Sequence, residues 1–328
     1  MADVLCFGNL QCDVLCRPLI ALPEPGALRM LDAIDVTLSG NGGNVAAALA
    51  RLGVEVSLAG YSGADVIGEQ FRATLAAQGV RVDRLLRHPS AGSGTSVIAL
   101  APNGERTIVF VNGANALFDL DDVPDEWLEG TGVVFAGSVF VLPQFTGETV
   151  GRLFTRAQGR GAKTVLNVCW DGERRGLPFL IPALEETDYL VLNHDEGRQL
   201  TGHEAPDAIL DRLNVHVRGT TIMTLGPDGC CLREEGTLRQ VPALPVEATD
   251  CTGAGDCFVA GFIAGLVKGL PPAACARLGC RVAACAVTGP GAYTRVPPLS
   301  EIDGSAEGGS QADATSGHNK ENGAANGR

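Results

Sequence analysis

Asp250-Cys-Thr-Gly-Ala-Gly-Asp-Cys-Phe-Val-Ala-Gly-Phe262 sets two carboxylates around a glycine-rich turn and runs at once into an apolar segment. Phe258, Phe262, Ile263 and Leu266 recur near helical spacing, so a buried helix is expected to start here. A helix start carries unpaired N–H groups and a partial positive charge. Gly253 and Gly255, with the small Ala254 between them, would leave that start unobstructed, and an unobstructed helix start holds anions. Asp256 would then stand in the first turn. A carboxylate there can take a proton from a hydroxyl while the N–H groups hold charge building on a phosphoryl group. The stretch suits phosphoryl transfer to an alcohol. Taken alone, it reads equally well as a tight loop with a stabilising acid in a first helical turn.

Outward from this stretch the pattern alternates between strand and helix. Residues 3–8 read as a buried strand ending in glycine. Ser39-Gly-Asn-Gly-Gly-Asn44 leads into a helix expected from Val45 to Leu52, with Gly53 at its end. Strands are expected at 54–60, 133–137, 164–168, 189–193 and 221–226, and helices at about 65–78, 147–160, 254–268 and 272–287. Asp65 suits a helix cap, and Pro271 and Pro272 suit a helix start. Residues 95–101 and 106–111, joined by Pro-Asn-Gly, form a hairpin pattern that breaks the rhythm and could cover a site. Alternating β and α segments predict an α/β fold with a mostly parallel sheet covered on both faces. From about residue 303 apolar periodicity is lost, and a disordered tail over 303–328 is expected.

Composition narrows the chemistry. The 328 residues carry a formal net charge of −13, which disfavours nucleic acid as a partner. Lysine occurs only at Lys163, Lys268 and Lys320, so phosphate chemistry must lean on arginine, backbone N–H groups or metal ions. No signal peptide or membrane span is read. The eleven cysteines include no Cys-x-x-Cys pair and read as reduced, cytoplasmic packing residues, and the five dispersed histidines offer no zinc site. Gly161-Ala-Lys-Thr164 precedes a strand, where a Walker loop would follow one. Gly40-Asn-Gly-Gly-Asn44 lacks the third glycine of a dinucleotide fingerprint.

Several motifs occur together. The 250–262 stretch resembles the signature of the ribokinase family of carbohydrate and nucleoside kinases, the phosphofructokinase B-type sugar kinases. Ser39 to Gly53 resembles its N-terminal signature. Gly63-Ala-Asp-Val-Ile-Gly68, Asn193-His-Asp-Glu196 and Thr224-Leu-Gly-Pro-Asp-Gly229 match further family motifs, in family order. Gly113-Ala-Asn-Ala116 resembles a segment that follows the lid.

The resemblance implies a doubly wound kinase domain over 1–302 with a small β-sheet lid from about 13–39 and 94–112. It implies Asp256 as general base, with Gly253, Ala254 and Gly255 as the anion hole. Asp13, Gly40, Asn44 and Asn115 would contact the sugar. Asn167, Asn193, Glu196, Thr224, Gly226 and Gly229 would serve ATP, with Asn193 and Glu196 holding Mg2+ through water. Asp250, Thr252 and Gly291 match part of a monovalent-cation site, usually for K+. The lid's outer face pairs two subunits in several relatives. Two residues depart from the pattern: Ser39 replaces a glycine, and Asn41 stands where ribokinases proper commonly carry lysine. Cys257, beside the base, reads either as a packing residue or as a reactive thiol.

Three functions remain open on these residues. The first is an ATP-dependent kinase of a small sugar or sugar derivative. The second is a nucleoside kinase of the same fold. The third is a sugar-binding regulator without catalysis, which retention of Asp256 argues against. Small polar pocket residues and an aromatic content of 5% favour a sugar over a nucleoside. A phosphosugar would need a basic clamp, for which Arg17, Arg29 and Arg106 are the candidates near the lid.

Overall fold

The computed structural model describes residues 3–304 apart from Gly104 and Glu235. Thirteen strands are described: β1 (Val4–Phe7), β2 (Gln11–Arg17), β3 (Ala33–Ser39), β4 (Val56–Gly63), β5 (Leu85–His88), β6 (Thr95–Leu100), β7 (Arg106–Val111), β8 (Val133–Gly137), β9 (Lys163–Asn167), β10 (Tyr189–Asn193), β11 (Thr220–Thr224), β12 (Cys230–Glu234) and β13 (Thr237–Val241). The helices are α1 (Asn41–Arg51), α2 (Val66–Ala77), α3 (Gly147–Gln158), α4 (Leu177–Leu184), α5 (His194–Thr201), α6 (Pro206–Asn214), α7 (Ala254–Val267), α8 (Pro272–Ala286) and α9 (Leu299–Gly304).

Nine strands form one sheet in the order β13-β12-β11-β10-β9-β8-β1-β4-β5. It is parallel except at β12 and β13, which extend it as an antiparallel hairpin. β1 lies inside it, between β8 and β4, with all four residues at 0% exposure. Because side chains alternate along a strand, Val4 and Cys6 enter one core with α1, α7 and α8. Leu5 and Phe7 enter the other, with α3 and α4. This is the doubly wound arrangement, and burial of each Phe or Leu in it contributes about 1.5–3 kcal/mol. β2, β3, β6 and β7 form a separate four-stranded sheet in the order β3-β2-β6-β7, over the segments expected for the lid.

Helix α1 starts at Asn41, not at Val45, so Asn44 belongs to its first turn. Two glycines there are poor helix formers, but packing overrides propensity. A Cβ on Gly42 would stand 2.7 Å from the Gly8 carbonyl carbon, so the backbone of α1 lies directly against the end of β1. Gly40 turns the chain into the helix at φ 101°, which only glycine adopts freely. The strand expected at 54–60 runs later, over Val56–Gly63. Hydrophobic spacing does not single out α4, α5 or α6. α4 is apolar throughout with Pro182 inside it, and α5 and α6 span 8 and 9 residues, too short for a clear period. α9 continues to Gly304, past the boundary expected at 302. The tail from 305 to 328 lies outside the described residues.

Candidate active site

The chain builds β1, β4 and β5 in one direction and β8 to β11 in the other, so the order reverses between β1 and β8. Ligands of open α/β sheets bind at such a reversal, outside the carboxyl ends of the strands. Gly8 follows β1, while Gly137, Asn167, Asn193 and Thr224 end β8, β9, β10 and β11. The residues singled out from distant parts of the sequence are thereby brought to one edge.

Asp256 lies in the first turn of α7, whose N-cap is Gly253 in the left-handed conformation at φ 72°. It is half-buried, and both its oxygens are held from α1. Asn41 Nδ2 donates to Oδ1 and Asn44 Nδ2 to Oδ2, each at 2.7 Å. Burial pushes the carboxyl up to about 6, against the pull of the two amide donors, which favour the anion. A base with that affinity is ionised at neutral pH yet still accepts a proton well. Beside it, the start of α7 is open. A Cβ on Gly255 would meet no protein atom within 4 Å, so this glycine faces space that a small anion can fill.

Asn193 and Glu196 form a reciprocal cap at the start of α5. Asn193 Oδ1 accepts from the Glu196 N–H, and Glu196 Oε2 accepts from the Asn193 N–H, both at 2.8 Å. The motif is thus a capping box, and it also carries charge chemistry. Burial first, and the Asp256 charge next among the groups that raise it, push Glu196 up to about 7. Such a carboxylate gains from a nearby cation. The pair lines a groove of about 710 Å3 together with Trp170, Arg174 and Arg198, a feature no sequence motif announces.

Thr224 ends β11, and Gly226 and Gly229 bracket the turn that follows at φ 59° and 90°. A Cβ on Gly229 would lie 2.1 Å from the Val241 carbonyl oxygen, so this loop is pinned to β13. Asn167 donates through Nδ2 to the Val191 carbonyl at 2.9 Å and presents Oδ1 to Asn41.

On the opposite side, Asp13 projects from β2 and accepts a hydrogen bond from Ser96 Oγ of β6. Asn115 is buried, and its amide is committed to the backbone: Oδ1 accepts from the Leu10 N–H, and Nδ2 donates to the Leu10 and Asn112 carbonyls. It braces the base of the small sheet. Asp65 caps α2 through the Gly68 N–H and also accepts from the Ser93 N–H and Oγ, each at 2.7 Å. The 63–68 motif thus anchors the segment that leads into β6. A Cβ on Gly68 would stand 2.0 Å from the Gly63 carbonyl oxygen, and one on Gly63 2.4 Å from the Ser93 backbone nitrogen, which accounts for both glycines.

The loops carrying Asp250 and Gly291 meet. Asp250 accepts from the Thr252 N–H at 2.9 Å and from the Gly291 N–H at 3.3 Å. Cys257 is fully buried, its thiol pointing to the Ala292 carbonyl, and burial pushes its pKa up strongly. It packs and is not a reactive thiol. Arg17 is paired with Asp35 at 2.6 Å on β3, and the Arg106 side chain lies outside the described residues.

Sequence spacing does not reveal Asn9 or Gly137 as site residues, nor what Asn41, noted only as a departure from the family pattern, is bonded to, since each is defined by partners far along the chain. Asn9 Oδ1 accepts from the Asn41 N–H and from Ser138 Oγ. A Cβ on Gly137 would fall 1.6 Å from Asn41 Oδ1, so that strand end must be glycine for the Asn41 amide to fit.

The family model described as pfkB family carbohydrate kinase matches residues 1–298. A ribokinase of Schizosaccharomyces pombe is 26% identical over 323 residues, covering 93% of this chain and 98% of that protein. A fructokinase of Klebsiella pneumoniae is 29% identical over 269 residues, covering 77% and 87%. Among solved structures, an Arabidopsis thaliana ribokinase complexed with ribose and ATP superposes with TM-score 0.81 at 23% identity, covering 92% of this chain and 98% of that one. A fructokinase with bound ATP from Xylella fastidiosa superposes with TM-score 0.76 at 25% identity, covering 93% and 98%. Strand-end polar residues gathered at one sheet edge, an acid in the first turn of an open helix and a family match over nearly the whole chain agree: this chain belongs to the pfkB carbohydrate kinases and is a sugar kinase.

Proposed function

We propose that the enzyme transfers the γ-phosphoryl group of ATP to a hydroxyl of a small neutral sugar, with Asp256 as general base. One observation carries this reading. Asp256 has both oxygens oriented by amides and stands in the first turn of a helix whose open N-terminus is shaped for an anion. Asp256 takes the hydroxyl proton. The N–H groups at Gly253, Ala254 and Gly255 hold the charge that builds on the phosphoryl oxygens. Thr224, Gly226 and Gly229 border the nucleotide, with Asn167 towards the phosphates. Asn193 and Glu196 would hold Mg2+ through water, in keeping with its reluctance to shed its shell; the oxygen donors and the raised proton affinity of Glu196 fit such a cation. When bound, that ion would offset phosphate charge. Asp250, Thr252 and Gly291, whose loops meet through the Asp250 carboxylate, would be the candidates for a K+ site.

The small sheet closes on the acceptor as a lid, with Asp13 offering an acceptor to its hydroxyls and Asn44 beside it orienting Asp256. A neutral acceptor is supported by the pairing of Arg17 with Asp35. A sugar, in preference to a nucleoside, is supported by relatives described as ribokinase and fructokinase. Two lids pairing into a homodimer would cover Ile34 and Val36 of β3 and Ile108 to Val111 of β7, all exposed here. A cytoplasmic site of action suits cysteines that mostly pack in the core. Among the described residues no helix is long and apolar enough to cross a membrane.

The test is ADP release from Mg·ATP with ribose, fructose and adenosine, with and without K+, in wild type and Asp256→Asn. Turnover with a sugar that vanishes in the variant is expected. Turnover that survives in the variant would remove Asp256 as base, and adenosine as the sole acceptor would make the enzyme a nucleoside kinase.

A further inference from the structure

We propose that Asn41 is a positioning residue for Asp256, and that one amide ties the base to the end of β9. The inference rests on the reading of Asp256 as general base.

Asn41 Nδ2 is shared between two oxygens, Asp256 Oδ1 at 2.7 Å and Asn167 Oδ1 at 2.9 Å. Each end of this bridge is fixed. Asn167 donates its own Nδ2 to the Val191 carbonyl, so its Oδ1 must face Asn41. The Asn41 backbone is held by Asn9, and its side chain fills the space left by Gly137. The amide cannot turn over. The reverse orientation would set its oxygen against two acceptors, Asp256 Oδ1 and Asn167 Oδ1. In the orientation present, Asn41 Oδ1 is buried with no hydrogen-bond partner among the described residues.

Chemistry sets the consequence. A carboxylate with one oxygen held by Asn44 and the other by Asn41 is fixed in plane and aimed past the start of α7. Neutral donors orient it without cancelling its charge, and they offset only part of the rise in proton affinity that burial confers. Asn41 thus acts on turnover through Asp256 and not through the sugar. The titratable groups that sense the Asp256 charge are Glu196 on α5 and Cys257 on α7; the groups α1 turns towards it are amides.

The test compares Asn41→Ala, Asn41→Asp and Asn41→Lys with wild type, using Mg·ATP with ribose or fructose. Loss of the donor in Asn41→Ala is expected to lower kcat about 10²-fold, with sugar KM within about threefold. The acidic limb of kcat moves up by about one pH unit, and in Asn41→Lys it moves down. Asn41→Asp keeps the shape of the side chain and is expected to match or exceed the loss in Asn41→Ala, so a packing defect in one variant does not decide the matter. Carboxyl 13C titration of Asp256, assigned by Asp256→Asn, reads the same shifts in unliganded protein and needs no acceptor. An unchanged titration and acidic limb in Asn41→Ala would overturn the proposal, as would a rise in sugar KM alone, which would make Asn41 a sugar ligand. If Asp256→Asn itself turns over normally, the base assignment fails and these shifts lose their meaning for catalysis, an outcome distinct from a dead Asp256→Asn beside a normal Asn41→Ala.

Discussion

Ala292 closes the space over Gly253: a Cβ added at Gly253 would stand 2.3 Å from the Ala292 Cβ, whereas one added at Gly255 would meet no protein atom within 4 Å. The two glycines of the turn thus do different things. Gly253 is demanded by the fold, through that contact and its φ of 72°. Gly255 meets no such contact, as the proposed anion site requires. Gly253→Ala should destabilise the protein by about 2–4 kcal/mol, combining strain at positive φ with overpacking. Gly255→Ala should leave Tm unchanged or slightly raised, since alanine is the better helix former, yet lower kcat/KM for ATP about 10–100-fold. Calorimetry alongside steady-state kinetics separates the two. Equal loss of stability in both would refute the assignment of an open anion site.

Asp256 sets activity against stability. Its folded pKa, about 6, lies above the usual carboxylate value of 3.8. Between those values the native state binds more protons than the unfolded chain, so stability falls as pH rises through this window. Above pH 6 the ionised group costs up to about 3 kcal/mol. Asp256→Asn lacks this ionisation but sets an amide nitrogen against one of the two asparagine donors, so its Tm relative to wild type should be higher at pH 8 than at pH 4, while kcat falls about 10³-fold or more. A Tm difference that does not grow with pH would contradict the sign of this shift.

The cap and the proposed cation role of Glu196 can be parted by substitution. Glutamine at this position still accepts from the Asn193 N–H. Glu196→Gln is expected to keep Tm close to wild type near pH 4, to raise it at pH 8, where the ionised Glu196 is costly, and to raise the Mg2+ concentration for half-maximal rate about tenfold. Glu196→Ala should show the same Mg2+ defect and also lose about 1 kcal/mol from the cap. Unchanged Mg2+ dependence in Glu196→Gln would leave the pair as a structural cap only.

Exposed apolar side chains on both edge strands of the small sheet predict self-association. Ile34 and Val36 lie two apart on β3, and so share a face. Light scattering on the wild-type chain should give a dimer, and Ile34→Glu with Val36→Glu should give a monomer with unchanged far-ultraviolet dichroism. A monomeric wild type would remove lid pairing.

The turn and helix at 250–267, the capped helix after Asp65 and the alternating strands were legible in the chain, because each depends on neighbours within a few residues. Glycine freedom, a capping acid and helical or strand periodicity act over that range. The beginning of α1 was not legible. Its four earlier residues are helical because Gly42 packs on Gly8, a contact across the sheet that overrides the low helix propensity of Gly42 and Gly43.

The same division runs through the site. Local spacing was enough to single out Asp256 and the glycine turn beside it as candidates, since the acid and the turn belong to one helical turn. It could not say what holds the base. Asn41 and Asn44 reach Asp256 across more than 200 residues, and they meet only because α1 and α7 lie side by side on one face of the sheet at the reversal of strand order. A side chain's residue type names the chemistry it can do; its partner, and with it the carboxylate's proton affinity and direction, follows from burial and distance, which exist only once the chain is packed.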